Sequence, residues 1–78
     1  MRFGKELEGH RLRLYFSDGE ICEAAIIDVA DPDDGDGCAF DLLSTNNPNK
    51  YVGTEVHVGT SAVWVDFSTL EKYEELGS

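Results

Sequence analysis

The chain has 78 residues, room for a single small domain spanning 1–78. Hydrophobic residues make up 41%, which supports a packed core and excludes wholesale disorder. The net charge of −10 disfavours nucleic acid and acidic membrane surfaces as partners and points to a basic protein instead.

No apolar run approaches the roughly 20 residues that span a bilayer, so no membrane association is expected. Met1-Arg2-Phe3-Gly4-Lys5 leads into no apolar stretch of the secretory kind, and a cytoplasmic protein is expected. The charge is uneven. Residues 14–49 hold Asp18, Glu20, Glu23, Asp28, Asp31, Asp33, Asp34, Asp36 and Asp41 and no base. The bases Arg2, Lys5, Arg11 and Arg13 precede that acidic stretch.

In chain order, Phe3 to Glu8 reads as a short helix or a single turn, stopped by Gly9. Arg11 to Phe16 alternates strictly, with Leu12, Leu14 and Phe16 on one side, as a half-buried strand does. Ser17-Asp18-Gly19-Glu20 is a hairpin turn signal. A second strand runs from Ile21 to Val29 or Ala30, and its alternation breaks at Ile26-Ile27, as in a strand that bends. Asp31 to Gly37 is a loop. A third strand covers Cys38 to Ser44, with Phe40 and Leu42 sharing a face.

Thr45 to Lys50 forms a polar loop. A fourth strand is expected over about Thr54 to Val58 and a fifth over Ala62 to Phe67. Placing Val56 and Val58 on one face with Val63 and Val65 sets His57 opposite Trp64 on the outer face. Ser68-Thr69-Leu70-Glu71 matches a helix capping box, but a turn followed by a strand over Leu70–Glu74 is preferred, because an open sheet edge needs a partner. The pattern predicts an all-β domain: a five- to six-stranded antiparallel barrel of SH3-like or Sm-like type, with an antiparallel sandwich as the alternative.

Leu7, Gly9, Leu12, Leu14, Asp18-Gly19, Ile21, Glu23 and Ile27 resemble the first half of an Sm-like (LSm/Hfq-type) domain. The resemblance covers about residues 5–30, with an echo at Val56–Val65. It implies a barrel, and one that can assemble into rings. The residues that bind RNA in that family do not carry over. Ala24 stands where the bent strand usually has glycine, and Asp33, Asp34 and Asp36 occupy the RNA-binding loop. Val58, not a base, precedes Gly59.

The loop Asp31–Gly37 lacks the ligand spacing of a calcium loop, since the twelfth position falls on Leu43. Cys22, Cys38, His10 and His57 lack zinc spacing. No metal and no cofactor is expected. A hairpin centred near Asp34 sets Cys38 opposite Ala30 and Cys22 opposite Asn46, roughly 26 Å apart along the ladder. Buried free thiols are therefore expected rather than a disulfide. Ser17, Ser44, Ser61 and Ser68 lack a nucleophile-elbow setting, and no enzyme activity is expected.

The candidate contact residues are Trp64, His57 and Tyr15, as outward aromatic anchors, and Asp33, Asp34 and Asp36 of the acidic loop. The leading expectation is a non-enzymatic interaction or self-assembling module. The alternatives are an acidic mimic of nucleic acid that inhibits a basic protein, and an Sm-like RNA binder. Pairing of Arg2, Lys5, Arg11 and Arg13 with a neighbouring copy's acids would build a homo-oligomer; pairing within the molecule would not.

Overall fold

A computed structural model of the chain, described over residues 1–77, contains five antiparallel strands in one sheet, ordered β4-β3-β2-β1-β5. Strands β1 (Arg11–Phe16) and β2 (Ile21–Val29) form the first hairpin. Its turn works because Gly19 adopts φ 92°, a conformation that side-chain-bearing residues resist. The alternation in β1 buries Leu12, Leu14 and Phe16, as its sequence requires.

Strand β3 (Gly37–Thr45) pairs with β2 through two irregularities, at Glu23/Ala24 and at Ile26/Asp28. The second is the break in alternation at Ile26-Ile27. The extra residue turns Ile27 outward and returns Val29 to the core. The loop after β2 already sets the register one residue from the simple hairpin reading, and the two irregularities cancel along the ladder. Cys38 faces Val29 rather than Ala30, and Cys22 faces Thr45 rather than Asn46. The thiols remain at opposite ends of the ladder, and both are free and buried.

Strand β4 (Ala62–Asp66) pairs with β3, and β5 (Leu70–Gly77) pairs with β1. The tail is thus the turn-and-strand form. A 3₁₀ turn over Phe67–Thr69 joins the two strands, and its Thr69 carbonyl accepts the Ser17 N–H at 2.9 Å. The N-terminal helix reduces to one 3₁₀ turn over Lys5–Leu7. The inner face buries Leu12, Leu14, Phe40, Leu42 and Phe67 in one core, with Phe3 edge-on to the Phe67 ring at 4.9 Å. Each such side chain contributes about 1.5–3 kcal/mol relative to exposure.

Two expectations are corrected. Thr54–Val58 is not a strand; residues 46–61 run through a 3₁₀ turn at Pro48–Tyr51 and further turns. The edge of β3 is already occupied. Leu42 donates to the Ser61 carbonyl at 3.0 Å, and its own carbonyl accepts Gly59 N–H at 2.7 Å. Gly53 and Gly59 sit at φ 81° and 98°, which bends the segment where a strand would stay extended. The sheet also does not close into a barrel by hydrogen bonds: β4 and β5 are its two edges, and no ladder joins them.

Gly37 lies where β3 begins, and a Cβ there would meet the Val65 carbonyl and the Trp64 ring. The backbone carbonyl cannot move aside without breaking the β3–β4 ladder. Gly37→Ala is expected to lower unfolding stability by about 2 kcal/mol in urea titration, in the range of overpacking effects. A change below about 0.5 kcal/mol would contradict this close approach.

Candidate functional site

Glu20 follows the hairpin turn at the inward parity of β2, and its side chain has no exposure. A buried carboxylate requires donors. Thr45 Oγ1 donates at 2.6 Å, Tyr51 Oη at 2.8 Å and Lys50 Nζ at 2.7 Å. Lys50 Nζ also reaches Asp18 Oδ2 at 3.3 Å, and Asp18 Oδ1 accepts the Glu20 N–H at 2.9 Å. Asn46 adds a tie to the same turn, with Oδ1 accepting the Ile21 N–H at 2.8 Å. Thus residues 45–51 are fastened to the β1–β2 turn by one acidic centre.

Burial pushes the Glu20 carboxyl up, but the bonds from Lys50, Thr45 and Tyr51 outweigh burial and hold it below its ordinary value. Burial opposes the charge on Lys50 too, yet Glu20 and Asp18 raise its pKa. Burial and the bond to Glu20 keep the Tyr51 hydroxyl protonated well above its usual range. Cys22 is pushed up to about 12 by burial and then by the nearby Glu20, and Cys38 to about 11 by burial. Both thiols are poor nucleophiles at neutral pH. The arrangement is a clamp, with a proton inventory fixed at neutral pH.

The sequence-derived contact residues are not brought into one group. Trp64 stands on the outer face of β4, 48% exposed, opposite Ala39 rather than His57. Its ring packs beside Gly35 and Gly37 at the end of the acidic loop. His57 lies in an exposed turn, where its N–H donates to Ser61 Oγ at 2.8 Å and its carbonyl accepts the Ser61 N–H at 2.9 Å. Tyr15 belongs to the β1–β5 side, where its hydroxyl donates to Glu74 and Lys72 Nζ sits 4.4 Å from its ring centre.

The acidic loop divides. Asp36 pairs with Arg2 at 2.9 Å, and its carbonyl accepts the Phe67 N–H at 2.7 Å. Asp33 and Asp34 are exposed and make no ion pair among the described residues. A cleft of 430 Å³ opens between β4 and the β1–β2 turn, lined in part by Phe16, Asp18, Lys50, Trp64, Val65 and Asp66. Among the described residues, no cluster of three His, Cys, Asp or Glu side chains is placed to hold a metal ion.

Sequence reasoning missed Glu20, Thr45, Lys50 and Tyr51 as a group. Extending the β2 alternation back by one residue places Glu20 inward beside Cys22, and an inward Glu signals a need for partners. No family model matches the chain, and no curated protein or solved structure is significantly similar to it.

The clamp sets a pH dependence. Glu20 and Asp18 are depressed in the folded state, so their stabilisation is present above the unfolded values of 4.5 and 3.8 and is lost as pH falls through the folded ones. Lys50 is raised, so its share is present below 10.5 and is lost as pH climbs beyond its folded value. Glu20→Gln is expected to cost about 2 kcal/mol at neutral pH; the 40% exposure of Lys50 places this below a fully dry ion pair. The variant should also lose part of the acid dependence below pH 4.5 in urea titrations. An unchanged acid limb would contradict the clamp.

Proposed function

We propose that this chain is a non-enzymatic interaction module that binds a basic protein partner. One observation carries the reading: four of the six Lys and Arg side chains are ion-paired within the molecule, all but Arg11 and Lys72, while many acids have no such partner among the described residues. Arg2 pairs with Asp36, Lys5 with Glu8 and Asp28, Arg13 with Glu23 and Glu74, and Lys50 with Asp18 and Glu20. Asp31, Asp33, Asp34, Asp41, Glu55, Asp66 and Glu71 have no ion-pair partner among the described residues, on a chain of net charge −10. Such a surface attracts cations over a Debye length of about 10 Å at 0.1 M salt.

The same pairings weigh against RNA, since three of the four N-terminal bases an RNA reading needs, Arg2, Lys5 and Arg13, already face acids of their own chain. They also weigh against a ring built on head-to-tail ion pairs, although homo-oligomers through other surfaces are compatible with the fold. We read the domain as an open form of the SH3-like or Sm-like topology, its β4 and β5 edges left unjoined. Support comes from the strand order, the bent β2 and the 3₁₀ turn between β4 and β5. A reducing, cytoplasmic setting suits two buried free thiols. No helix among the described residues is long and apolar enough to cross a membrane.

Trp64 is the only tryptophan and reports binding directly. A short synthetic peptide alternating valine and lysine should change its emission on titration, and the valine–glutamate counterpart should not. Raising salt from about 0.05 M to about 0.5 M should weaken the lysine peptide about ten-fold. A variant carrying Asp33→Asn and Asp34→Asn should associate about three-fold more slowly. Equal response to both peptides, or salt-insensitive binding, would refute the reading.

A further inference from the structure

Strand β4 ends the sheet, and no strand lies beyond it among the described residues. Leu42 donates to the Ser61 carbonyl, and Phe67 donates to the Asp36 carbonyl. Between these bonds, Phe40 faces Val63 and Cys38 faces Val65. Antiparallel alternation therefore turns the main-chain groups of Val63 and Val65 toward β3, and those of Ala62, Trp64 and Asp66 away from it. The Asp66 carbonyl accepts the Thr69 hydroxyl at 2.7 Å. The N–H and C=O of Ala62 and Trp64 face outward, with no strand beyond them among the described residues. Such a row is a template for a further strand.

The surroundings say what kind of strand. The 430 Å³ cleft lies beside the C-terminal half of β4, between it and Phe16, Asp18 and Thr69. Val63 and Val65 are only partly buried, so the core is incompletely covered along this side. The half-exposed Trp64 and the exposed Asp66 alternate with these valines on the other face of β4 and also border the cleft. The one base at the cleft, Lys50, is held by Glu20 and Asp18 at 2.7 and 3.3 Å, so its charge is already met.

We infer that the open edge of β4 receives an extended segment of a basic protein, in which apolar residues alternate with Lys or Arg, as an added sixth strand. The inference deepens the proposed acidic-module function and rests on it. Apolar side chains would continue the row of Val63 and Val65 and cover the cleft. Basic side chains would fall on the outer face, beside the Trp64 ring and the Asp66 carboxylate. A second copy fits less well. The other free edge is β5, which carries Glu71, Glu74 and Glu75 against Lys72, and each copy bears −10. Edge-to-edge pairing of two copies sets acid against acid.

The test uses the intact chain and the valine–lysine peptide, with Trp64 emission as readout. N-methyl groups on the alternate peptide amides that would face β4 should weaken binding at least about ten-fold. Methyl groups on the other set of amides should change it less than about two-fold, because only one set donates to an antiparallel neighbour. Ala62→Pro removes an outward N–H that no β3 group uses, and it should weaken the parent peptide about ten-fold with little loss of thermal stability. If Ala62→Pro fails to fold, the two methylated peptides still decide. Equal affinity of both methylated sets overturns strand addition while leaving the acidic module standing. Absence of any binding by the lysine peptide overturns both. Concentration-dependent dimers abolished by Ala62→Pro would assign the edge to a second copy and overturn the inference.

Discussion

A carboxylate sealed from water at the first hairpin turn has to be supplied with donors, and Glu20 draws them from a part of the chain 25 to 31 residues away. That requirement organises the segment between β3 and β4. Without it, Thr45 to Tyr51 would be a polar loop with little to bury. With it, Lys50 and Tyr51 are carried back to the β1–β2 turn, and the ammonium of Lys50 lies 5.3 Å from the Phe16 ring centre. The long connection then returns through the turn at His57–Ser61, which delivers Ala62 to the edge of β3.

The clamp also shapes the surface. It engages the one base near the cleft and so leaves that region net acidic. The ion pairs of Arg2, Lys5 and Arg13 do the same for three of the four N-terminal bases. Meanwhile no ladder joins β4 to β5 among the described residues, and the chain passes between them through the 3₁₀ turn at Phe67–Thr69. An acidic exterior and an unpaired strand edge beside a cleft are separate consequences of the fold. Together they favour a basic, extended partner. Charge brings it in from a distance, and main-chain hydrogen bonds fix its register.

Much of the sheet was legible because its signals are local. Alternation marks β1, the Asp18-Gly19 pair marks its turn, and the doubled isoleucine at 26–27 marks the bulge in β2. The preference for a final strand over a capping-box helix rested on the need of an open edge for a partner, and β5 does pair with β1. The strand expected at Thr54–Val58 failed because alternation is necessary for a half-buried strand but not sufficient. Val56 does pack on the core, yet the backbone there turns rather than extends. The β3 edge it would have used is taken by Gly59, Ser61 and β4. The pairing of His57 with Trp64 fell with that strand. The Glu20 clamp was hidden for a different reason: its members are scattered from 18 to 51, and only the folded register makes them neighbours.

The central claim is that Glu20 is ionised in a buried site because Lys50, Tyr51 and Thr45 together outweigh the cost of burial. The direct measurement is the side-chain carboxyl ¹³C shift of Glu20 followed by NMR through an acid titration, with Lys50→Met as the comparison. The account predicts a midpoint below the ordinary value of 4.5 in the parent chain, rising in the variant. A parent midpoint above 4.5, or one that Lys50→Met leaves in place, would contradict it.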